Sequence, residues 1–209
     1  MPVNLTSAVY PGALSNYIGC TMDPHISSGS AAVAMNTSQY NLGLLRVSPT
    51  VYAITDPMFG ESLTTTSNAT KVVFNVTTAS VGATHSWAAL LDMGGVCRAI
   101  TADGGSTQWS LGLVTLNFVV PAGTTNLVAG ALYYIALFNN GGTAPKLSGI
   151  ASLLPEHTAA QSAGGSAPYS FCTNATSPGT TPPAVGTSVL TYSSNTVTGV
   201  SGGFFAGLL

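Results

Sequence analysis

The chain has 209 residues, enough for one domain that buries roughly 70% of the surface its unfolded chain exposes. Only four basic and six acidic residues are present, 5% of the chain, against about 25% in an ordinary soluble domain. The four cations, Arg46, Lys71, Arg98 and Lys146, are scattered, which argues against a nucleic-acid partner because phosphate binding needs clustered positive charge.

In chain order, residues 1–45 come first and carry little periodicity (YPGALSN, MDPHISSGS, NTSQYN). They read as an extended N-terminal anchoring arm, with a turn or two of helix as the one helical candidate at SAAVAMN (30–36). The first twenty residues lack a basic region and a long apolar segment, so no secretion signal is expected. No apolar run approaches the roughly 18–20 residues that cross a bilayer, so no membrane partner is expected. Cys20, Cys97 and Cys172 are odd in number and far apart. They read as free thiols of a chain made in a reducing cytoplasm, Cys97 as a small core residue.

Residues 46–209 read as strands. KVVFNVT (71–77) sets Val72, Phe74 and Val76 against Lys71, Asn75 and Thr77. HSWAALLD (85–92) is apolar almost throughout and reads as central. VCRAIT (96–101) follows it across MGG, a hairpin connection. VTLNFVV (114–120) sets Val114, Leu116, Phe118 and Val120 against Thr115 and Asn117. ALYYIALF (131–138) is apolar on both faces: Ala131, Tyr133, Ile135 and Leu137 on one, Leu132, Tyr134, Ala136 and Phe138 on the other. Alternation of period two marks half-buried strands; a strand apolar on both faces must be covered twice. Turn chemistry separates the runs at ADGGST (102–107), PAGTTN (121–126) and NNGG (139–142). KLSGIASLL (146–154), a loop-like HTAAQSAGGSAPYS (157–170) and the turn-rich SPGTTPPAVG (177–186) come next, and GTSVLTY (186–192) and GGFFAGLL (202–209) are candidate closing strands. The pattern predicts an all-β fold, an antiparallel β-sandwich or jelly roll with an irregular N-terminal arm.

The residues with catalytic potential are few and poorly placed for catalysis. His25, His85 and His157 have no metal-binding spacing, and His85 and Asp92 fall on opposite faces of one strand. Asp23, Asp56, Glu61, Asp92, Asp103 and Glu156 lie mostly in turns, where Asp bonds its own backbone, and Asp103 lacks the spacing of a calcium loop. There is no nucleophile elbow, phosphate loop or dinucleotide fingerprint. No enzyme, metal or cofactor is therefore expected. Asn4, Asn36, Asn68, Asn75 and Asn174 begin glycosylation sequons, but with 12 Asn and 50 Ser plus Thr among 209 residues about three arise by chance, and the absent signal removes their context. Trp87, in an apolar strand, reads as core. Trp109, in STQWSLG, is the candidate glycan or partner contact at the surface. Tyr133, Tyr134 and Phe138 are the candidate oligomer or core interface.

The order of these segments is similar to a known family. HSWAALLDMGGVCRAITADGGSTQW followed by VTLNFVVPAGTTNLVAGALYYIALFNNGGTAPKLSG resembles a β-sandwich module in virion proteins of tailed phages infecting actinobacteria, usually labelled minor tail proteins, with related modules on capsid fibres. The matching pieces are Trp87 to Asp92, Val96 to Thr101, Trp109, Val114 to Val120, Gly130 to Ala136 and Thr143 to Gly149. The resemblance covers about 70–165, extends to 209 as the strands that finish the sandwich, and omits the first 45 residues. It implies a non-enzymatic structural role on a phage particle, with other virion proteins and copies of the chain as partners. The implied assembly is a homo-oligomer, a trimer among the candidate states. It transfers no catalytic residue. Host-surface glycan binding through Trp109 is the rival expectation.

Overall fold

The computed structural model describes residues 19–21, 31–47, 66–106, 109–119, 126–128, 130–150, 171–174, 178–190, 197–199 and 202–209. Among these it is all-β, without a helix. The strands are β1 (Gly19–Cys20), β2 (Ala31–Ala34), β3 (Tyr40–Arg46), β4 (Thr66–Asn68), β5 (Lys71–Thr78), β6 (Ser86–Asp92), β7 (Cys97–Ile100) and β8 (Gly112–Asn117). They continue with β9 (Asn126–Val128), β10 (Leu132–Asn139), β11 (Lys146–Ile150), β12 (Phe171–Asn174), β13 (Val197–Gly199), β14 (Gly203–Phe204) and β15 (Ala206–Leu208).

Two antiparallel sheets form a β-sandwich. One has six strands in the order β13-β12-β3-β10-β6-β7. The other has seven, along β1-β15-β5-β11-β14, with β2 added on β11 and β8 on β5. Strands β4 and β9 make a separate ribbon. Consecutive strands change layer at β2–β3, β5–β6, β7–β8, β10–β11, β11–β12 and β13–β14, whereas the β6–β7 hairpin and β12–β13 stay within the six-stranded sheet and β1–β2 and β14–β15 within the other.

The faces follow from the alternation. Val72, Phe74 and Val76 of β5 and Val114 and Leu116 of β8 point into the space between the sheets, where they meet Ala88, Leu90, Ile135 and Leu137 of the six-stranded sheet. The doubly apolar β10 sits between β3 and β6. Its Tyr133, Ile135 and Leu137 join this core. Its Tyr134, Ala136 and Phe138 join a second core on the far face, with Tyr40, Leu42, Trp87 and Cys172. Leu190, Val185 and Val189 pack there, so the 185–190 segment supplies part of the cover. In that second core the Phe138 ring lies 4.1 Å from Trp87 and 5.9 Å from Tyr40 between centroids.

Three expectations change. The arm boundary at residue 45 does not hold: Tyr40–Arg46 is β3, hydrogen-bonded between β10 and β12. Its NLGLL core has no polar alternation to announce it, because both faces are buried. Residues 1–18 and 22–30 of the arm lie outside the described residues. The helical candidate at 30–36 contains β2 instead; Ala31–Ala34 pairs with β11, and the ladder overrides the helix preference of alanine. The segment GTSVLTY makes an isolated bridge, Ser188 to Val96, rather than a strand, and residues 191–192 lie outside the description. GGFFAGLL does close the sandwich, broken at Phe205 so that β14 pairs with β11 and β15 with β5. The loop-like 157–170 also lies outside the described residues.

Two glycines are required by contact. Gly95 ends the MGG turn at φ +77°, and a Cβ there would sit 2.9 Å from Leu190. A Cβ on Gly149 would collide with the Gly203 carbonyl oxygen, so β11 and β14 approach closely only because Gly149 is bare.

Candidate functional site

Two ion pairs lie at the ends of β6. At its start, His85 Nδ1 lies 2.6 Å from Asp103 Oδ2. Asp103 Oδ1 accepts the Ser86 N–H at 2.9 Å and the Gly105 N–H at 3.1 Å. Asn140 completes the corner: its Oδ1 accepts the N–H groups of Thr84 and His85, and its Nδ2 donates to the Thr84 hydroxyl. Partial burial pushes the Asp103 carboxyl up, but the hydrogen bonds from His85, Ser86 and Gly105 together outweigh it and hold the group below its usual value. A His–Asp pair is half of a nucleophile-activating triad. Here the adjacent hydroxyls are engaged elsewhere: Ser86 donates to the Gly105 carbonyl and Thr84 accepts from Asn140. The arrangement ties the 102–105 turn to the start of β6, in line with the turn reading of ADGGST.

At the other end, Asp92 Oδ1 accepts the N–H groups of Gly94 and Val96, both at 2.9 Å. Its Oδ2 receives Arg98 Nη2 at 2.6 Å and Nε at 2.9 Å. Asp92 and Arg98 therefore hold the β6–β7 hairpin. Among the described residues no three His, Cys, Asp or Glu side chains converge as a metal site, and no helix is long and apolar enough to cross a membrane.

The thiols and phenol of the second core are suppressed as nucleophiles. Burial pushes Cys97 up to about 11 and Cys172 up to about 12, and neither forms a disulfide. Burial also pushes the Tyr40 phenol up to about 12, and the neighbouring Trp87 indole offsets this only in part. Cys172 lines a cleft of about 260 Å³ with Met35, Asn41, Leu42, Thr173 and Phe204. Asn41 in that cleft is already saturated, exchanging hydrogen bonds with Asn36 and donating to the Gln39 carbonyl.

The aromatic candidates all lie inside. Trp109, expected at the surface, is 1% exposed and stacks on Phe74 at 4.5 Å in the inter-sheet core. The loop that carries it has no charged neighbour after Asp103, and burying a ring of that size outweighs leaving its indole N–H without a partner. A ring so enclosed cannot stack on a sugar. Tyr133, Tyr134 and Phe138 are core residues of a single chain; the Tyr133 hydroxyl accepts the Val128 N–H at 3.2 Å.

What the surface offers is apolar. Leu111 and Leu113 are 71% and 69% exposed, and Val119, past the far end of β8, is exposed as well. The inward phase of this strand runs from Val114 onward, and Leu111 and Leu113 continue the outward phase of Thr115. Two leucines in a phase otherwise read as polar were the available signal. No family model, curated protein or solved structure matches the chain.

Proposed function

We propose that the chain is a non-enzymatic structural subunit of a tailed-phage virion, a minor tail or capsid-decorating component made in the host cytoplasm and assembled with other virion proteins and copies of itself. The observation that carries this reading is the motif order in residues 87–149, and the segments that bear it are packing and turn elements. Trp87 to Asp92 lies on β6 and turns on the Asp92 carboxylate. Val114 to Asn117 lies on β8 and Leu132 to Ala136 on β10. Lys146 to Gly149 lies on β11. A family defined by packing and turns does structural work. The suppressed thiols, the carboxylates tied into turns and the neutral hydroxyl-rich composition support the same reading. Glycan recognition has lost Trp109 as its anchor.

The test is whether purified particles of the source phage contain the chain. Mass spectrometry should find it at a fixed stoichiometry that survives density-gradient banding, and an electron-microscopy map should place the sandwich either about the tail axis or on the icosahedral shell. Its absence from banded particles, or turnover of purified cell walls that is abolished by Asp103→Asn, would overturn the proposal.

A further inference from the structure

At the outer edge of β8, ladder groups without a partner among the described residues coincide with exposed apolar side chains. Phe118 N–H donates to the Thr70 carbonyl at 2.9 Å, and the register pairs Leu116 with Val72 and Val114 with Phe74. Antiparallel ladders alternate, so Gly112, Val114 and Leu116 turn their backbone groups toward β5. Leu113, Thr115 and Asn117 turn theirs away. Beyond them Val119 N–H finds the Ile100 carbonyl at 2.7 Å. The Thr101–Phe118 bridge lies against this end of the strand, and between Leu113 and Thr115 no described strand lies alongside. The neighbouring border of the six-stranded sheet is treated differently. There β7 is covered by 186–189, with Cys97 N–H on the Thr187 carbonyl and Gly186 N–H on the Cys97 carbonyl.

Monomeric proteins blunt such an edge with lysine, proline or a bulge. None of these is present in β8, whose pairing with β5 runs without a register shift. Residues 104–145 contain no Asp, Glu, Lys, Arg or His at all. We propose that β8 is a self-pairing edge: two copies of the chain join β8 to β8, antiparallel about a twofold axis, into one continuous sheet.

A second copy is the occupant for three reasons. Two neutral strands meet without repulsion, whereas a charged partner would find nothing to pair with. The row is its own complement: centred on Val114, Leu113 falls opposite Thr115 of the second copy, and these two ladder residues of each copy present both backbone groups. Finally, Val114 and Leu116 are still 6% and 7% exposed at the margin of the inter-sheet core, so pairing would carry that core across the axis while Leu113 of each copy closes over the outer face. This deepens the structural reading, on which it rests only for the contact's role in a particle; the pure protein tests the contact apart from the particle.

The experiment is light scattering and sedimentation of the full chain with two variants. Thr115→Pro removes an outward N–H, a position where an edge strand accepts proline. Leu113→Lys adds the charge that edges normally carry. The wild type should be a dimer. Because the twofold axis deletes each bond twice, Thr115→Pro should weaken association by about tenfold or more. Leu113→Lys should act in the same direction, with its circular dichroism unchanged. A monomeric wild type, or an oligomer whose dissociation constant neither variant alters, would overturn the proposal. Should Thr115→Pro fail to fold, Leu113→Lys decides alone.

Discussion

Replacing Trp109 by alanine separates a core indole from a surface one. The side chain is 1% exposed and lies against Phe74, so truncation removes a large buried area and opens a cavity between the sheets. Trp→Ala in such a site typically destabilises by about 3–5 kcal/mol. The indole N–H has no hydrogen-bond partner among the described residues, and deleting a buried unpaired donor returns roughly 1 kcal/mol or more. The expected net loss is therefore about 2–4 kcal/mol, a fall in Tm of roughly 4–16 °C for a chain of this size. Urea unfolding followed by circular dichroism measures it without relying on the deleted fluorophore. Trp109→Phe supplies the complement: it keeps most of the ring and removes the orphan donor, and should change stability by less than about 1.5 kcal/mol. A Trp109→Ala variant within about 0.5 kcal/mol of wild type, the range of an ordinary surface substitution, would refute the core placement and restore the indole as a contact residue.

The close approach at Gly149 predicts that Gly149→Ala forces β11 from β14, at about 1–3 kcal/mol in chemical denaturation, whereas Gly179→Ala, with φ +78° but nothing within 4 Å, reports the backbone strain alone. Asp103 titrates below its unfolded value, so its contribution is fully present above the unfolded carboxylate range near 4 and is lost as pH falls through the lower folded value. Asp103→Asn should therefore flatten the acid limb of a Tm-against-pH profile, and an unchanged limb would contradict the clamp. With Cys20 replaced by Ser, Cys97 and Cys172 should resist a thiol reagent at neutral pH until the chain is unfolded, because burial raises both; fast labelling of the native protein would place one of them outside the second core.

Several strands were legible because each needs only local alternation. In β5 and β8 the polar residues Lys71, Thr115 and Asn117 keep the phase visible and leave one face for the core. The two-sided apolarity of β10 announced a strand covered twice. What covered its second face was not legible: Leu42 and Trp87 flank β10 on that face from β3 and β6, and the cover includes Leu190, from a segment expected to be a closing strand. Strand β3 escaped notice because a strand buried on both faces loses its polar markers, and its neighbours β10 and β12 lie far along the chain. Strand β2 escaped because four residues of Ala and Val carry a preference too weak to resist a ladder.

By itself the sequence determined the class: too little charge for nucleic acid, no period of 3.6 long enough for a helical core, and strands of period two separated by Gly and Asn turns. Those properties are local, and each residue carries its share. Tertiary structure decided which aromatic is surface and which is core. It enclosed Trp109 against Phe74, put Asp103 within reach of His85 eighteen residues away, and left Leu113 rather than Trp109 facing water. Burial depends on what arrives from elsewhere in the chain, and a sheet edge exists only once the order of strands is known.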